Sequence, residues 1–120
     1  MVQSIKKVTH DFNKVTGKVS QIKIDGKDVK KSYLNAFLKA QETRFFDAGI
    51  LFCDERVPAQ NPFSGATVEL SPLEACIYQW CLDWYAQYER GKMPTPVSVY
   101  DNMRYLFMEM NVHAYMQLLD

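Results

Sequence analysis

The sequence predicts an α+β fold: an N-terminal antiparallel hairpin or small three-stranded sheet, three main helices, and a short C-terminal helix. Two observations predict it. An Asp25-Gly26 pair, typical of two-residue hairpin turns, separates β-branched segments near the N-terminus. Apolar residues then recur at helical spacing in later segments. Since 120 residues, 48% of them hydrophobic, suit one core, we expect a single domain over 1–120, with a basic β region at 1–30 and a mainly helical region at 31–120.

The hairpin carries a specific prediction of register. With Asp25 and Gly26 as its turn, the flanking residues form three cross-strand pairs: Ile24 with Lys27, Lys23 with Asp28, and Ile22 with Val29. This register places an opposite-charge pair and an apolar pair on alternate sides of the ribbon. An earlier strand within residues 2–9 would extend the hairpin to three strands.

The first helix is expected to begin at Tyr33, with Ser32 as its N-cap. At about 100° per residue, several apolar side chains share one face and are expected in the core. They are Leu34, Phe37, Leu38 and Phe45. Gly49 is expected to end this region, and residues 50–53 form either a short buried strand or a packed loop.

The second helix has the clearest start in the sequence. Ser71-Pro72-Leu73-Glu74 combines an N-cap serine, a proline at the first helical position and a glutamate at the third. A turn-rich segment at 61–65 and a short extended stretch at 67–70 precede it. The apolar residues of its predicted core face are Leu73, Ile77, Trp80, Cys81, Trp84 and Tyr88. Gly91 is expected to end the helix.

Thr95-Pro96 repeats the capping pattern before the last long helix. The apolar stripe of that helix is Val99, Tyr100, Met103, Leu106, Phe107 and Met110. Its opposite face carries Tyr105 and Met108, which an isolated subunit leaves in water. A final short helix over 112–119 is expected to dock through three residues: Val112, Tyr115 and Leu119.

The segment around the second helix start resembles a known group. Residues 61–65 read Asn-Pro-Phe-Ser-Gly and residues 70–75 read Leu-Ser-Pro-Leu-Glu-Ala. Over residues 61–74 the combination resembles segments of small uncharacterised proteins of tailed bacteriophages. The resemblance implies a viral (phage) protein acting in the host-cell cytoplasm or in the virion, and it supplies no functional residues.

The charges cancel overall, with 14 basic and 14 acidic residues, but they are unevenly distributed. Residues 1–40 hold nine lysines and three acids, whereas residues 41–120 hold five basic residues and eleven acids. The split indicates either a basic surface for an anionic partner or attraction between opposite halves, within or between subunits. No apolar run approaches the roughly 18 residues of a membrane span. We therefore expect a soluble, cytoplasmic protein with no membrane partner.

Little in the sequence predicts catalysis or a metal site. The candidate zinc ligands lack the spacing of a zinc site; they are Cys53, Cys76, Cys81, His10 and His113. The cysteines are odd in number and are expected to be reduced. We predict no catalytic residue, no metal and no cofactor, and so not an enzyme, unless the fold places His113 beside Cys53 or Cys81 in a pocket.

Two functions of different classes remain. The first is a non-enzymatic interaction or assembly protein that forms a homo-oligomer through its helical half, with Tyr105 and Met108 at the interface. The alternative is an accessory nucleic-acid-binding protein that uses the lysine-rich N-terminal region. Its candidate binding residues are Lys18, Lys23, Lys27, Lys30 and Lys31. The absence of arginine and the scarcity of aromatic residues in this segment argue against the alternative.

Overall fold

The computed structural model describes residues 6–119. Within them the elements are, in chain order, β1 Val8–Asn13, β2 Lys18–Ile24, β3 Lys27–Asp28, α1 Lys31–Gln41, a 3-10 helix Ala48–Phe52, β4 Val57–Gln60, β5 Thr67–Leu70, α2 Pro72–Glu89, α3 Val97–Met110 and α4 Val112–Leu118. This order confirms the predicted α+β class: a three-stranded antiparallel sheet comes first and the helices dominate the rest of the chain.

The first sheet has the order β1-β2-β3 and the predicted register between β2 and β3. Asp25 and Gly26 both have positive φ, at 52° and 81°, as a type I′ turn requires. Lys23 pairs with Asp28, Ile24 pairs with Lys27, and the Val29 amide donates to the Ile22 carbonyl at 3.2 Å. All three predicted pairs are confirmed.

Strand β1 begins at Val8, so the strand expected within 2–9 starts later and continues to Asn13; residues 2–5 lie outside the described part of the chain. Asp11 lies opposite Gln21 and Phe12 lies opposite Val19, which leaves Ser20 as an extra residue. This bulge lets both Val19 and Ile22 face the core although they are three residues apart. The extra residue lies in β2, whereas burial alternates regularly along β1.

Helix α1 differs from the prediction at its start. It begins at Lys31 with Lys30 as N-cap and no side-chain capping bond, so Ser32 lies in the first turn instead of capping it. The expected core face was also partly wrong: Phe37 is fully buried, but Leu38 is exposed. Small side chains, Ala36 and Ala40, complete the buried face, because they allow α1 to pack closely against α3.

The first helix ends earlier than predicted, at Gln41. Phe45, expected on its core face, therefore lies beyond α1, where it stacks on Trp80 with ring centroids 5.6 Å apart. Residues 50–53, expected as a strand or a packed loop, fall largely in the 3-10 helix. The next strand, β4, pairs antiparallel with β5 to form a second, two-stranded sheet. Pro58 lies within β4, and a proline argues against a strand when only the sequence is known.

Helix α2 has the predicted capping box. Ser71 Oγ accepts from the Glu74 amide at 3.2 Å, and Glu74 Oε1 accepts from the Ser71 amide at 2.9 Å. The helix ends before Gly91, whose φ is 81°. Trp80 and Trp84 are buried on α2, and the buried side chains of the described residues form one cluster around this helix.

The caps of α3 and α4 correct two further predictions. Thr95 does not cap α3; its Oγ1 accepts from Trp84 Nε1 at 2.9 Å, and Pro96 takes the N-cap position. Helix α4 is capped by Asn111 and docks through Ala114 and Leu118, whereas Val112 is exposed. The helix begins at Val112 as predicted, and Tyr115 and Leu119 do pack against the core, beside the buried Ala114 and Leu118.

Candidate interaction surfaces

The expected interface residues lie on one face of α3, opposite its core face. We call this face the outer stripe: Val97, Asp101, Tyr105 and Met108. The residues are four, four and three positions apart, so they align along the helix. Val97 is 41% and Tyr105 42% exposed, as the prediction for Tyr105 requires. Met108 is half-buried, and so less exposed than expected, since α4 follows directly and packs against α3.

A chain of stacked rings joins α2, α3 and α4 and was missed in the sequence. Trp84 stacks on both Tyr88 and Tyr100, with centroid distances of 5.4 and 4.4 Å. The Arg104 guanidinium lies 5.5 Å from the Tyr100 ring and 5.8 Å from the Tyr115 ring, and it donates to Tyr115 Oη at 2.8 Å. Burial raises the pKa of Tyr100 to about 12. These contacts hold the three helices together.

The structure separates the five candidate lysines. Lys18 pairs with Asn13 at one end of β2, and Lys27 pairs with Ile24 at the other, about 20 Å away along the strand. Lys23 lies opposite Asp28, which offsets its charge. Lys30 and Lys31 lie at the start of α1. The five therefore do not form one patch.

Three of these lysines do lie near one another at the start of α1. Lys27 and Lys30 line a cleft of about 410 Å³ together with Tyr33 and Glu109; we call it the lysine cleft. Lys30 Nζ lies 5.7 Å from the centre of the Tyr33 ring, and Lys31 follows in sequence. Glu109 forms an ion pair with Lys6 at 3.7 Å. The cleft thus places two lysines and an aromatic ring beside two carboxylates, those of Asp28 and Glu109.

Two of the three cysteines, Cys76 and Cys81, are buried, and Cys53 is exposed. All three are unpaired thiols in the described part of the chain. Burial raises the pKa of Cys76 to about 12, with the Asp47 charge adding to the effect, and burial also raises the pKa of Cys81. Protonated, buried thiols are poor nucleophiles. Between residues 6 and 119 no group of three or more His, Cys, Asp or Glu side chains is placed to hold a metal ion.

Two hairpin turns share one geometry that was not predicted from the sequence. At 13–17 and 61–65 the chain reads Asn, any residue, an apolar residue, Thr or Ser, then Gly. In each turn the asparagine Oδ1 accepts from the amides two and three residues later. The third position holds Val15 in one turn and Phe63 in the other, 95% and 90% exposed. We call the second turn, residues 61–65, the Phe63 knob.

A second cleft, of about 710 Å³, lies between the end of α1, the end of α2 and the loop before α3; we call it the proline cleft. Its walls include Lys39, Arg44, Phe45, Gln87, Pro94 and Pro96. Two threonines on the same cleft each accept from a buried indole: Thr43 Oγ1 from Trp80 Nε1 at 2.8 Å, and Thr95 Oγ1 from Trp84 Nε1. These bonds fix the walls on both sides.

The sequence matches no protein-family model and no curated protein, and the fold matches no solved structure. None of the helices in the described part of the chain is both long enough and apolar enough to span a bilayer. Four surface features of the molecule bear on its function: the outer stripe, the lysine cleft, the Phe63 knob and the proline cleft.

Proposed function

We propose that this protein is a non-enzymatic interaction or assembly protein whose copies associate through the outer stripe of α3. The observation that carries the proposal is the partial exposure of Tyr105, which is 42% exposed on the face of α3 opposite its buried residues, with its ring 6.4 Å from that of Tyr33 on α1. Tyrosine and methionine are favoured at protein interfaces. Covering Tyr105, Met108 and Val97 removes apolar surface from water, which favours association.

The outer stripe suits a second copy of the same chain because it is self-complementary. In a two-fold dimer, residue i of one copy contacts residue j of the other, and the reverse contact also forms. An antiparallel α3 pair that places Val97 against Met108 also places Asp101 against Arg104, because both pairs share a midpoint between residues 102 and 103. Each apolar contact and each opposite-charge contact then occurs twice.

The resemblance of residues 61–74 to proteins of tailed bacteriophages supports a setting for this function. We propose that the subunit is a phage protein that acts in the host cytoplasm or in the virion.

The length of α3 limits how strongly two copies can associate through it. Helix α3 has 14 residues and is about 21 Å long. A contact of this length buries less surface than a permanent dimer usually does, so we expect association at micromolar concentrations and higher.

Placing two negative charges in the stripe tests the proposal. In sedimentation equilibrium the double variant Tyr105→Asp/Met108→Asp is expected to associate at least about 100-fold more weakly than the original chain, because unpaired charges are costly to bury at an interface. Circular dichroism and urea unfolding check that its monomer remains folded.

Gln79→Asp/Ala86→Asp is the matched control, since it adds the same charge at two exposed positions of α2. It is expected to associate like the original chain. A chain that stays monomeric at several hundred micromolar, or a control as weak as the stripe variant, contradicts the proposal.

A second candidate function is nucleic-acid binding through the lysine cleft. The observation that favours it is the position of Lys27 and Lys30 beside Tyr33, since cationic groups next to a ring suit a phosphate and a stacked base. This arrangement supplies an aromatic residue that the hairpin itself lacks. The proposed site is smaller than the sequence indicated and leaves out Lys18 and Lys23.

Lysine replacement tests this second candidate. Binding of single-stranded DNA and RNA is measured at rising salt for Lys27→Gln/Lys30→Gln/Lys31→Gln and for the matched triple variant Lys14→Gln/Lys18→Gln/Lys39→Gln. The first variant is expected to lose binding and to reduce the salt slope by about two, while the second keeps most of the affinity. Equal losses indicate nonspecific attraction, and no binding at low salt eliminates the candidate.

A further inference from the structure

Two exposed tyrosines lie side by side near the end of α2. Tyr85 and Tyr88 are three residues apart and are therefore neighbours on the surface of the helix. Their ring centroids are 6.2 Å apart, and the two residues are 45% and 48% exposed. Two phenols are thus held close together at a place where water and a dissolved reagent reach both.

Both rings are kept in place by contacts with further aromatic rings. Tyr88 stacks on the buried Trp84, with centroids 5.4 Å apart and an angle of 12° between the ring planes. The ring of Tyr85 lies 6.4 Å from that of Tyr100, which stacks on the other neighbour of the group, Trp84, at 4.4 Å. Because each ring packs against a second one, the two phenols stay near each other.

The charges around the tyrosines also favour this pair for the loss of an electron. A positive charge beside a ring opposes the removal of an electron, because the ring becomes more positive as the electron leaves. In the described part of the chain, a lysine or arginine lies 5.5 to 5.8 Å from the centre of three tyrosine rings, and neither Tyr85 nor Tyr88 is among them. The three rings are those of Tyr33, Tyr100 and Tyr115.

A second pair of tyrosines provides a comparison at almost the same distance. The rings of Tyr33 and Tyr105 have centroids 6.4 Å apart, and Tyr105 is exposed to a similar extent as Tyr85. The pair differs in its charge, since Lys30 Nζ lies over the Tyr33 ring. If distance and exposure alone decided which tyrosines react, both pairs would couple.

We propose that Tyr85 and Tyr88 form an oxidative cross-linking site, at which a one-electron oxidant couples the two rings into dityrosine. Each phenol gives one electron to the oxidant and its hydroxyl proton to water, which leaves a phenoxyl radical on each ring. The two radicals combine through the carbons next to the hydroxyls. The hydrogens of those two carbons leave as protons while two protons return to the oxygens, so the net loss is two electrons and two protons.

The oxidants suited to this step accept one electron at a time, as haem peroxidase intermediates and photogenerated ruthenium(III) complexes do. The product joins two side chains of the same helix by a carbon–carbon bond and so holds the last turns of α2 together. The site does not rest on the outer stripe, because neither tyrosine belongs to it.

Photo-oxidation of the folded chain tests the site. Tris(bipyridine)ruthenium(II), persulfate and a short exposure to visible light generate the ruthenium(III) oxidant, at a dilution at which light scattering shows a monomer. The chain is then digested with trypsin, which cuts after lysine and arginine. Tyr85 and Tyr88 stay together in peptide 57–90, whereas Tyr33 and Tyr105 fall in peptides 32–39 and 105–120. We expect peptide 57–90 to lose the mass of two hydrogen atoms and to show dityrosine fluorescence.

Three phenylalanine variants identify the coupled residues. Tyr85→Phe and Tyr88→Phe each keep the ring and remove one phenol, so each is expected to abolish the modified form of peptide 57–90. Tyr105→Phe is the matched control, because it removes one phenol from the other pair, and it is expected to give as much of this product as the original chain. Urea unfolding, unchanged in all three, confirms that the variants remain folded.

Four results overturn the proposal. They are the absence of an intrachain product, a product in peptide 57–90 that survives in Tyr85→Phe or Tyr88→Phe, a main product that joins peptides 32–39 and 105–120, and a main product that joins peptide 57–90 to peptide 93–104, which contains Tyr100. The third result shows that the charge over Tyr33 does not protect that pair, and the fourth shows that Tyr88 is not the partner.

Discussion

The turns at 13–17 and 61–65 have the same internal hydrogen bonds, and their glycines, Gly17 and Gly65, have φ of 71° and 80°. They differ in their attachment. Asn13 is exposed, whereas Asn61 is buried and reaches the Gln117 carbonyl on α4. The same five-residue turn therefore closes the first hairpin, and in the second hairpin it also connects the hairpin to the C-terminal helix. Local sequence determines the shape of a turn, but the contribution of the turn to the stability of the fold depends on its contacts with distant residues.

Replacing the two asparagines is expected to give the largest difference between the turns. Asn61→Ala should lower the free energy of unfolding by about 2–3 kcal/mol, because it leaves two amides and a carbonyl without their partner in a half-buried site. Asn13→Ala should cost about 1 kcal/mol or less, since water can replace the lost bonds. Urea unfolding measures both. Equal losses show that the bond to α4 contributes little.

Replacing Gly17 or Gly65 should instead lower the free energy of unfolding by equal amounts. Alanine at either position keeps a positive φ, which costs about 1–2 kcal/mol. Space is not limiting, because the nearest atoms to an added Cβ are 3.9 Å away at Gly17 and 4.0 Å away at Gly65. Asparagine tolerates this conformation better and should cost less at both positions. Urea unfolding measures the loss of stability at each position. A much larger loss at one of the two glycines indicates backbone strain that the shared turn geometry does not account for.

The smallest expected difference is a pH effect confined to the first hairpin. Burial lowers the pKa of His10 below 6.5, although the neighbouring Asp11 charge opposes the shift. His10 therefore binds a proton more readily in the unfolded chain than in the folded one. Its contribution to the stability of the fold is complete above pH 6.5 and is lost as the pH falls towards the pKa of the folded state. His10→Gln should remove that loss in urea unfolding at pH 7.5 and 5.5. His113→Gln, at an exposed position, is the control and should retain it.

The parts of the fold that could be predicted are those set by neighbouring residues. The Asp25-Gly26 turn fixes its own register, and the Ser71/Glu74 capping box fixes the start of α2. In both cases the interacting groups lie within a few residues of one another. Thr95 shows the limit of such local prediction, because its hydroxyl, which is suited to capping, instead accepts from the Trp84 indole.

The candidate site was less predictable than the fold. Tyr105 could be identified because helical spacing alone puts it opposite the core stripe. The proline cleft and the lysine cleft form between segments distant in sequence, so no local pattern reveals them. The repeated Asn, apolar, Gly pattern at 13–17 and 61–65 can be read in the sequence, and it predicts two turns of one type, but the exposure of Phe63 is known only from the structure.

The two threonine to indole bonds make the proline cleft optically observable. Trp80 and Trp84 are the protein's two tryptophans, and each N–H donates to a threonine hydroxyl on that cleft. A molecule that hydrogen-bonds to either hydroxyl changes the surroundings of the indole bonded to it. Binding of such a molecule is therefore expected to change the emission wavelength or intensity of the intrinsic fluorescence of the unlabelled chain.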